Sequence, residues 1–245
     1  MNDRTSIRFT EEMKGYAAFG ESDYERGAQE GRKSDTRLMF HLTIEIDDLD
    51  RFAADPRREA TAEGWVGCDA LGGKLPVEKG TFNLFVDEDD PALKRMLYRL
   101  FFRDGAEHPV TLTGFKIVRD DPGADVWPDT TTLYSRVLQG HVEAVDESDA
   151  EIVATGILHI GLLDFLKQLT TFRTEGPSLA ARAEALGRFG ALFMGQLWQV
   201  YAQRALRWVQ SPGGNSAFTS RTGAHPGRSA VRHGSENSRP SDTRH

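Results

Sequence analysis

The 245-residue chain carries 30 lysines and arginines against 37 aspartates and glutamates, a formal net charge of -7, which argues against a nucleic-acid platform, since affinity for phosphate backbones comes from clustered Lys and Arg. Its single cysteine, Cys68, excludes an internal disulfide and a multi-cysteine zinc site. No run approaches the roughly 18 consecutive apolar residues of a spanning helix or the apolar core of a signal peptide, so a cytoplasmic protein with no membrane span is expected.

The first extended segment in chain order is Ile7 to Phe19. A clearer strand follows at Arg37 to Ile46, where Leu38, Phe40, Leu42, Ile44 and Ile46 occupy every second position and Met39, His41, Thr43 and Glu45 lie between them. That alternation predicts a half-buried strand. Glu59 to Cys68 is a further strand candidate. The stretch Gly67 to Phe85, "GCDALGGKLPVEKGTFNLF", has the look of a phosphate-binding loop but fails its G-x-x-x-x-G-K-[ST] spacing in both registers. Pro76 and the β-branched and aromatic residues from Thr81 to Val86 predict instead a turn, a short extended piece, a Lys79-Gly80 turn and then a strand.

Lys94 to Arg103 puts Met96, Tyr98, Leu100 and Phe102 on one face and Arg95, Arg99 and Arg103 on the other. Those arginines are four apart, which leaves a helix open, but the Asp104-Gly105 turn favours a strand. Val110 to Arg119 and Thr131 to Val145 are further candidates, and Glu151 to Leu162 sets Ile152, Ala154, Gly156, Leu158, Ile160 and Leu162 against Thr155 and His159. The period then changes to helical: Leu162, Phe165, Leu166, Leu169 and Phe172 form one stripe, and a second helix is expected from Ser178, a good N-cap, to Gln210. From Ser211 onward the chain is rich in Ser, Gly, Arg and His, with Phe218 and Val231 its only large apolar residues, a composition that predicts disorder.

Strands first and helices last, without βαβ alternation, point away from a Rossmann-type sheet. The predicted class is mainly β: a lipocalin-like antiparallel barrel of about eight strands followed by a C-terminal helical pair, with a β-sandwich as the alternative. The predicted organisation is a barrel domain over 1-175, an amphipathic helix packed on it over 176-210, and a disordered tail over 211-245.

The runs "RFTEEMKGY", "LGGKLPVEKGTFNLFVD", "YRLFF", "LTGFKIVRDD", "DTTTLYSRV" and "GILHIGLLDFLKQLTTF" together resemble an accessory region of long bacterial fusion proteins related to cholesterol oxidase, members of the glucose-methanol-choline oxidoreductases. The resemblance covers about Ile7 to Phe172. It implies an accessory module standing alone, associated with a steroid-like or lipid-like ligand and with an oxidoreductase. The flavin domain of such proteins is absent, since no G-x-G-x-x-G follows a strand.

Candidate chemistry is sparse. His41 with Glu45, His141 with Glu143, and His159 could form a metal site if their strands were neighbours, but His41, Glu45 and His159 oppose the apolar faces and are expected in water, so no metal is assigned. His141 shares parity with Leu133 and Val137, which predicts a core histidine. The acidic loop Arg119 to Asp129 lacks EF-hand spacing, and Trp127 within it is expected to pack. The leading expectation is a non-catalytic module, without a cofactor, that binds a small apolar ligand through Phe40, Tyr98, Phe102 and Leu158. Two alternatives stand beside it: a cavity isomerase pairing Tyr98 with His141 or Asp120 as acid and base, and a structural partner docking on an oxidoreductase.

Overall fold

The computed structural model describes residues 4-90, 93-119, 131-160 and 171-191. Eight antiparallel strands close into a barrel: β1 (Ser6–Phe19), β2 (Arg37–Ile46), β3 (Glu59–Cys68), β4 (Gly73–Asp87), β5 (Leu93–Arg103), β6 (Pro109–Arg119), β7 (Thr132–Gln139) and β8 (Ile152–His159). Each pairs with the next in sequence, and β1 pairs with both β2 and β8, which closes the barrel. Closure gives each of the eight strands a partner on both sides and disposes of the sandwich alternative. Beyond the last β8 pair, Lys14 with His159, the short β9 (Arg173–Glu175) takes over beside Ser6, Ile7 and Arg8.

Alternation decides what enters the barrel. The even residues of β2, the odd residues of β1 from Ile7 to Met13, and Met96, Tyr98, Leu100 and Phe102 of β5 are buried. Leu112, Val118, Leu133, Val137 and Leu158 complete the inward set from the later strands. Each large aliphatic or aromatic side chain so placed contributes about 1.5–3 kcal/mol of hydrophobic stabilisation.

Two helices interrupt the strands, so the expected order of strands first and helices last does not hold. Helix α1 (Tyr24–Lys33) joins β1 to β2 and lies on the outer wall over β1 and β8. Asp23 caps it by accepting from the Arg26 N–H, and its buried residues are Gly27 and Gly31. A Cβ on Gly27 would lie 2.2 Å from the Thr155 carbonyl oxygen, and one on Gly31 would lie 2.4 Å from that of Ala17. The helix backbone therefore rests directly on the strands, which is why Thr155, read from sequence as outward, is buried.

Helix α2 (Leu49–Ala54) follows β2, capped by the Asp48 side chain. At the same end of the barrel, residues 179-191 form helix α3. Ser178 caps it through its Oγ, which accepts from the Ala181 N–H at 3.1 Å. Ala185 and Phe189 of α3 are buried in the barrel core, and Arg188 bonds Asp50 of α2 at 2.8 Å. Most of the first expected C-terminal helix, and everything beyond residue 191 including the predicted tail, lies outside the described residues; Thr171 and Phe172 sit in a turn leading to β9.

The glycine-rich stretch is a correction of detail. After the end of β3 and a 3-10 turn at Asp69–Leu71, it runs from Gly73 as one long strand, β4, and Lys79-Gly80 is no turn but strand, just past a β-bulge where the register with β5 shifts between Val77 and Lys79. Gly72 and Gly73 have φ of 116° and 94°, values that a side chain strains. Gly72 also abuts Gly105 of the β5–β6 turn so closely that a Cβ would meet its Cα at 2.5 Å. The glycines serve a turn and a backbone contact, not an anion.

Candidate functional site

Inside a mostly apolar barrel, two charged side chains are buried among the described residues: Glu11 of β1 and Lys116 of β6. Both sit on the inward parity of their strands, Glu11 between Phe9 and Met13, Lys116 between Gly114 and Val118. The Lys116 Nζ donates to Glu11 Oε1 at 2.5 Å. The Tyr98 hydroxyl donates to the other carboxylate oxygen, Oε2, at 2.8 Å, and the Lys116 ammonium lies 5.1 Å from the centre of the Tyr98 ring. Side-chain exposure is 4% for Lys116 and 5% for Glu11, so solvent screens the pair very little.

Register makes room for the trio. Tyr98 pairs with Gly114, Gly114 with Ser135, Ser135 with Gly156, and Gly156 with Ala17. This row of small residues faces the bulk supplied by Phe82 and Tyr98, whose ring centroids are 5.0 Å apart. Phe40 adds a third ring 5.6 Å from Tyr98. Above them Phe9 stacks on Phe172 at 4.9 Å and approaches Phe189 at 5.9 Å, so the barrel end beneath α2 and α3 is closed by aromatic side chains.

Burial, reinforced by the charge of Glu11 and the hydrogen bond to it, holds the Tyr98 phenol well above its ordinary value; it remains a neutral donor. Taking an ion pair out of water costs several kcal/mol per ion, and apolar residues of similar volume commonly replace such a pair without loss. Stability therefore does not explain the pair. A carboxylate held between an ammonium and a phenol is an arrangement that can fix a polar group of a ligand or move a proton.

Of the residues expected to bind ligand, Tyr98 belongs to this trio and Phe40 packs beside it. Phe102 and Leu158 also face inward, but Phe102 lies toward the β5–β6 turn, and Phe40, Phe102 and Leu158 are 0% exposed, wrapped by protein on every side. The expected partnership of Tyr98 with His141 does not form. His141 lies beyond the end of β7 rather than in the core, because Gly140, at φ 88°, turns the chain outward. Its Nε2–H donates to the Phe102 carbonyl at 3.1 Å, and its ring packs against Phe101 on the outer wall. Asp120 and Trp127 lie outside the described residues.

The remaining histidines disperse. His41 stacks near Trp65, with its Nδ1 3.3 Å from Glu12, Glu45 pairs with Arg8, and His159 meets the Thr132 hydroxyl. No group of three or more His, Cys, Asp or Glu among the described residues is placed to hold a metal ion, and no described helix is long and apolar enough to cross a membrane. Neither Glu11 nor Lys116 was singled out from sequence. The available signal was parity, since each interrupts the apolar face of its own strand. No family model, curated protein or solved structure matches the chain.

Proposed function

We propose that the protein is a non-catalytic binding module for a small apolar ligand, held inside the barrel at Tyr98 and the Glu11–Lys116 pair, with Phe40 packed behind Tyr98. One observation carries this reading: a charged pair with a phenol, buried in a barrel whose inward faces are otherwise uncharged and mostly apolar among the described residues. Ligand sites in general combine apolar walls with a few convergent polar groups. The resemblance to the oxidase-associated accessory region gives steroid-like and lipid-like molecules first place among candidates and an oxidoreductase as the partner, in the cytoplasm.

The test is titration of the full chain with N-phenyl-1-naphthylamine, a neutral apolar probe that fluoresces in dry surroundings, together with mass spectrometry of small molecules that copurify. Saturable enhancement reversed by a steroid or lipid supports the module. Absence of both probe binding and copurified ligand refutes it. A second reading, a proton-shifting isomerase, draws on the same contact, since Glu11 could act as base and Tyr98 as acid; conversion of an unsaturated steroid ketone that is lost in Glu11→Gln would select it.

A further inference from the structure

The bonding of Lys116 narrows the ligand. An ammonium has three N–H donors, and among the described residues Lys116 has one hydrogen-bond acceptor, Glu11 Oε1. The Tyr98 ring face, at 5.1 Å, offers electrostatic attraction but no lone pair. Two N–H groups of a side chain only 4% exposed are therefore unspent on the protein, and a buried unsatisfied donor costs about 1–3 kcal/mol, more when charged. Glu11 is differently placed: each of its oxygens already accepts a hydrogen bond, one from Lys116 and one from Tyr98. What the site lacks is an acceptor, and its charges already cancel.

Resting on the binding reading above, we infer that Lys116 is the recognition point for a neutral carbonyl oxygen on an apolar ligand, and that Glu11 excludes ligands carrying a carboxylate. A ketone, aldehyde or ester oxygen accepts one or two N–H bonds and brings neither charge nor a further donor. An alcohol also accepts, but its own proton must in turn find an acceptor, and that falls to the remaining lone pairs of a Glu11 carboxylate already bonded by Lys116 and Tyr98. A fatty acid anion would add a second negative charge beside a carboxylate only 5% exposed, and like charges at short range oppose one another strongly there. A protonated amine has no acceptor to offer.

The experiment is displacement of N-phenyl-1-naphthylamine from the full chain by 2-nonanone, 2-nonanol, nonane and nonanoate at neutral pH. The ketone is expected to compete about tenfold or more better than nonane, the factor of one charge-assisted hydrogen bond, with the alcohol between them and nonanoate weakest. In Lys116→Met the probe should still bind while the advantage of the ketone over nonane disappears. If that variant does not fold, the double variant Glu11→Leu/Lys116→Met, which leaves no charge unpaired, takes its place with the same expectation. Nonanoate binding tightest, equal competition by ketone and hydrocarbon, or a ketone advantage that survives the loss of Lys116 would overturn the inference while leaving the binding module standing. A probe that never binds the parent protein removes both.

Discussion

The two halves of the barrel interior are built from the same alternating strands and filled in opposite ways. Toward the β5–β6 turn, Leu100, Phe102, Val110, Leu112, Val137 and Val66 are all at or below 1% exposure, an apolar floor. Toward α2 and α3, the same strands present Glu11, Tyr98 and Lys116 among Phe9, Phe82 and Phe40. Strand geometry supplies burial in both halves. Only the second spends that burial on charge, and the contrast separates what holds the barrel together from what the barrel can hold.

The sharpest way to break the comparison is to orphan the ammonium. Glu11→Ala should destabilise by about 3–5 kcal/mol in urea unfolding, because it leaves a buried charge uncompensated, whereas Glu11→Leu/Lys116→Met should restore near-parental stability. A double variant as damaged as the single one would make the pair a structural element. In the floor, Phe102→Ala should also cost about 3–5 kcal/mol, through lost burial and an unfilled hole, yet leave probe displacement by ketones unchanged. A loss of ketone selectivity in that variant would erase the boundary between the halves.

Tyr98→Phe should cost less, about 1.5–3 kcal/mol, the range for a hydrogen bond to a charged group, and it carries a pH signature. Burial, first, and then Glu11 raise the folded phenol above its ordinary value near 10. The unfolded chain therefore loses this proton first as pH rises, and the stability contributed by the neutral phenol is full below about pH 10 and is lost as pH climbs toward the raised folded value. Tyr98→Phe should flatten that alkaline decline in a pH series of thermal unfolding; an unchanged slope would place its origin elsewhere. The last change touches neither half. Gly31→Ala places a Cβ 2.4 Å from the Ala17 carbonyl oxygen, so helix and strand must part, and it should cost about 3 kcal/mol or more, the upper end of overpacking, with ketone selectivity intact.

Strand positions were legible where the two-residue period was strong. β2 and β3 lie at the sequence-derived bounds and β5 begins one residue earlier. β4 was shortened in the reading because Gly73, Pro76 and Gly80 resemble turn residues, whereas here they occupy a strand whose pairing is broken by irregularities on both sides. β7 was overextended, since the pattern carried past Gly140. Helix α1 left no apolar stripe to read, because its contact face is Gly27 and Gly31; the Asp23 cap and the basic last turn of Arg32 and Lys33 were the signals present. Of the trio, Tyr98 was legible from its inward parity, but Glu11 and Lys116 were missed for a different reason. A charged residue on an inward face reads locally as a flaw in the pattern, and its partners, on β1, β5 and β6, meet only once the barrel closes.

Closure also sets the order in which the chain can fold. Gly15 of the first strand finds its second partner in Leu158, near the end of the last long strand, so this seam joins the most distant parts of the described barrel. Until β8 has emerged from the ribosome, one side of β1 has no partner, and the faces that will become the interior are open to other chains. Contacts of such long range slow folding, because the loop they close must be ordered before they can reward it. The seam between β1 and β8 is therefore where nascent or stressed chains are most exposed to aggregation, and α1, which lies across it with its glycines against both strands, is placed to latch the two together once they meet.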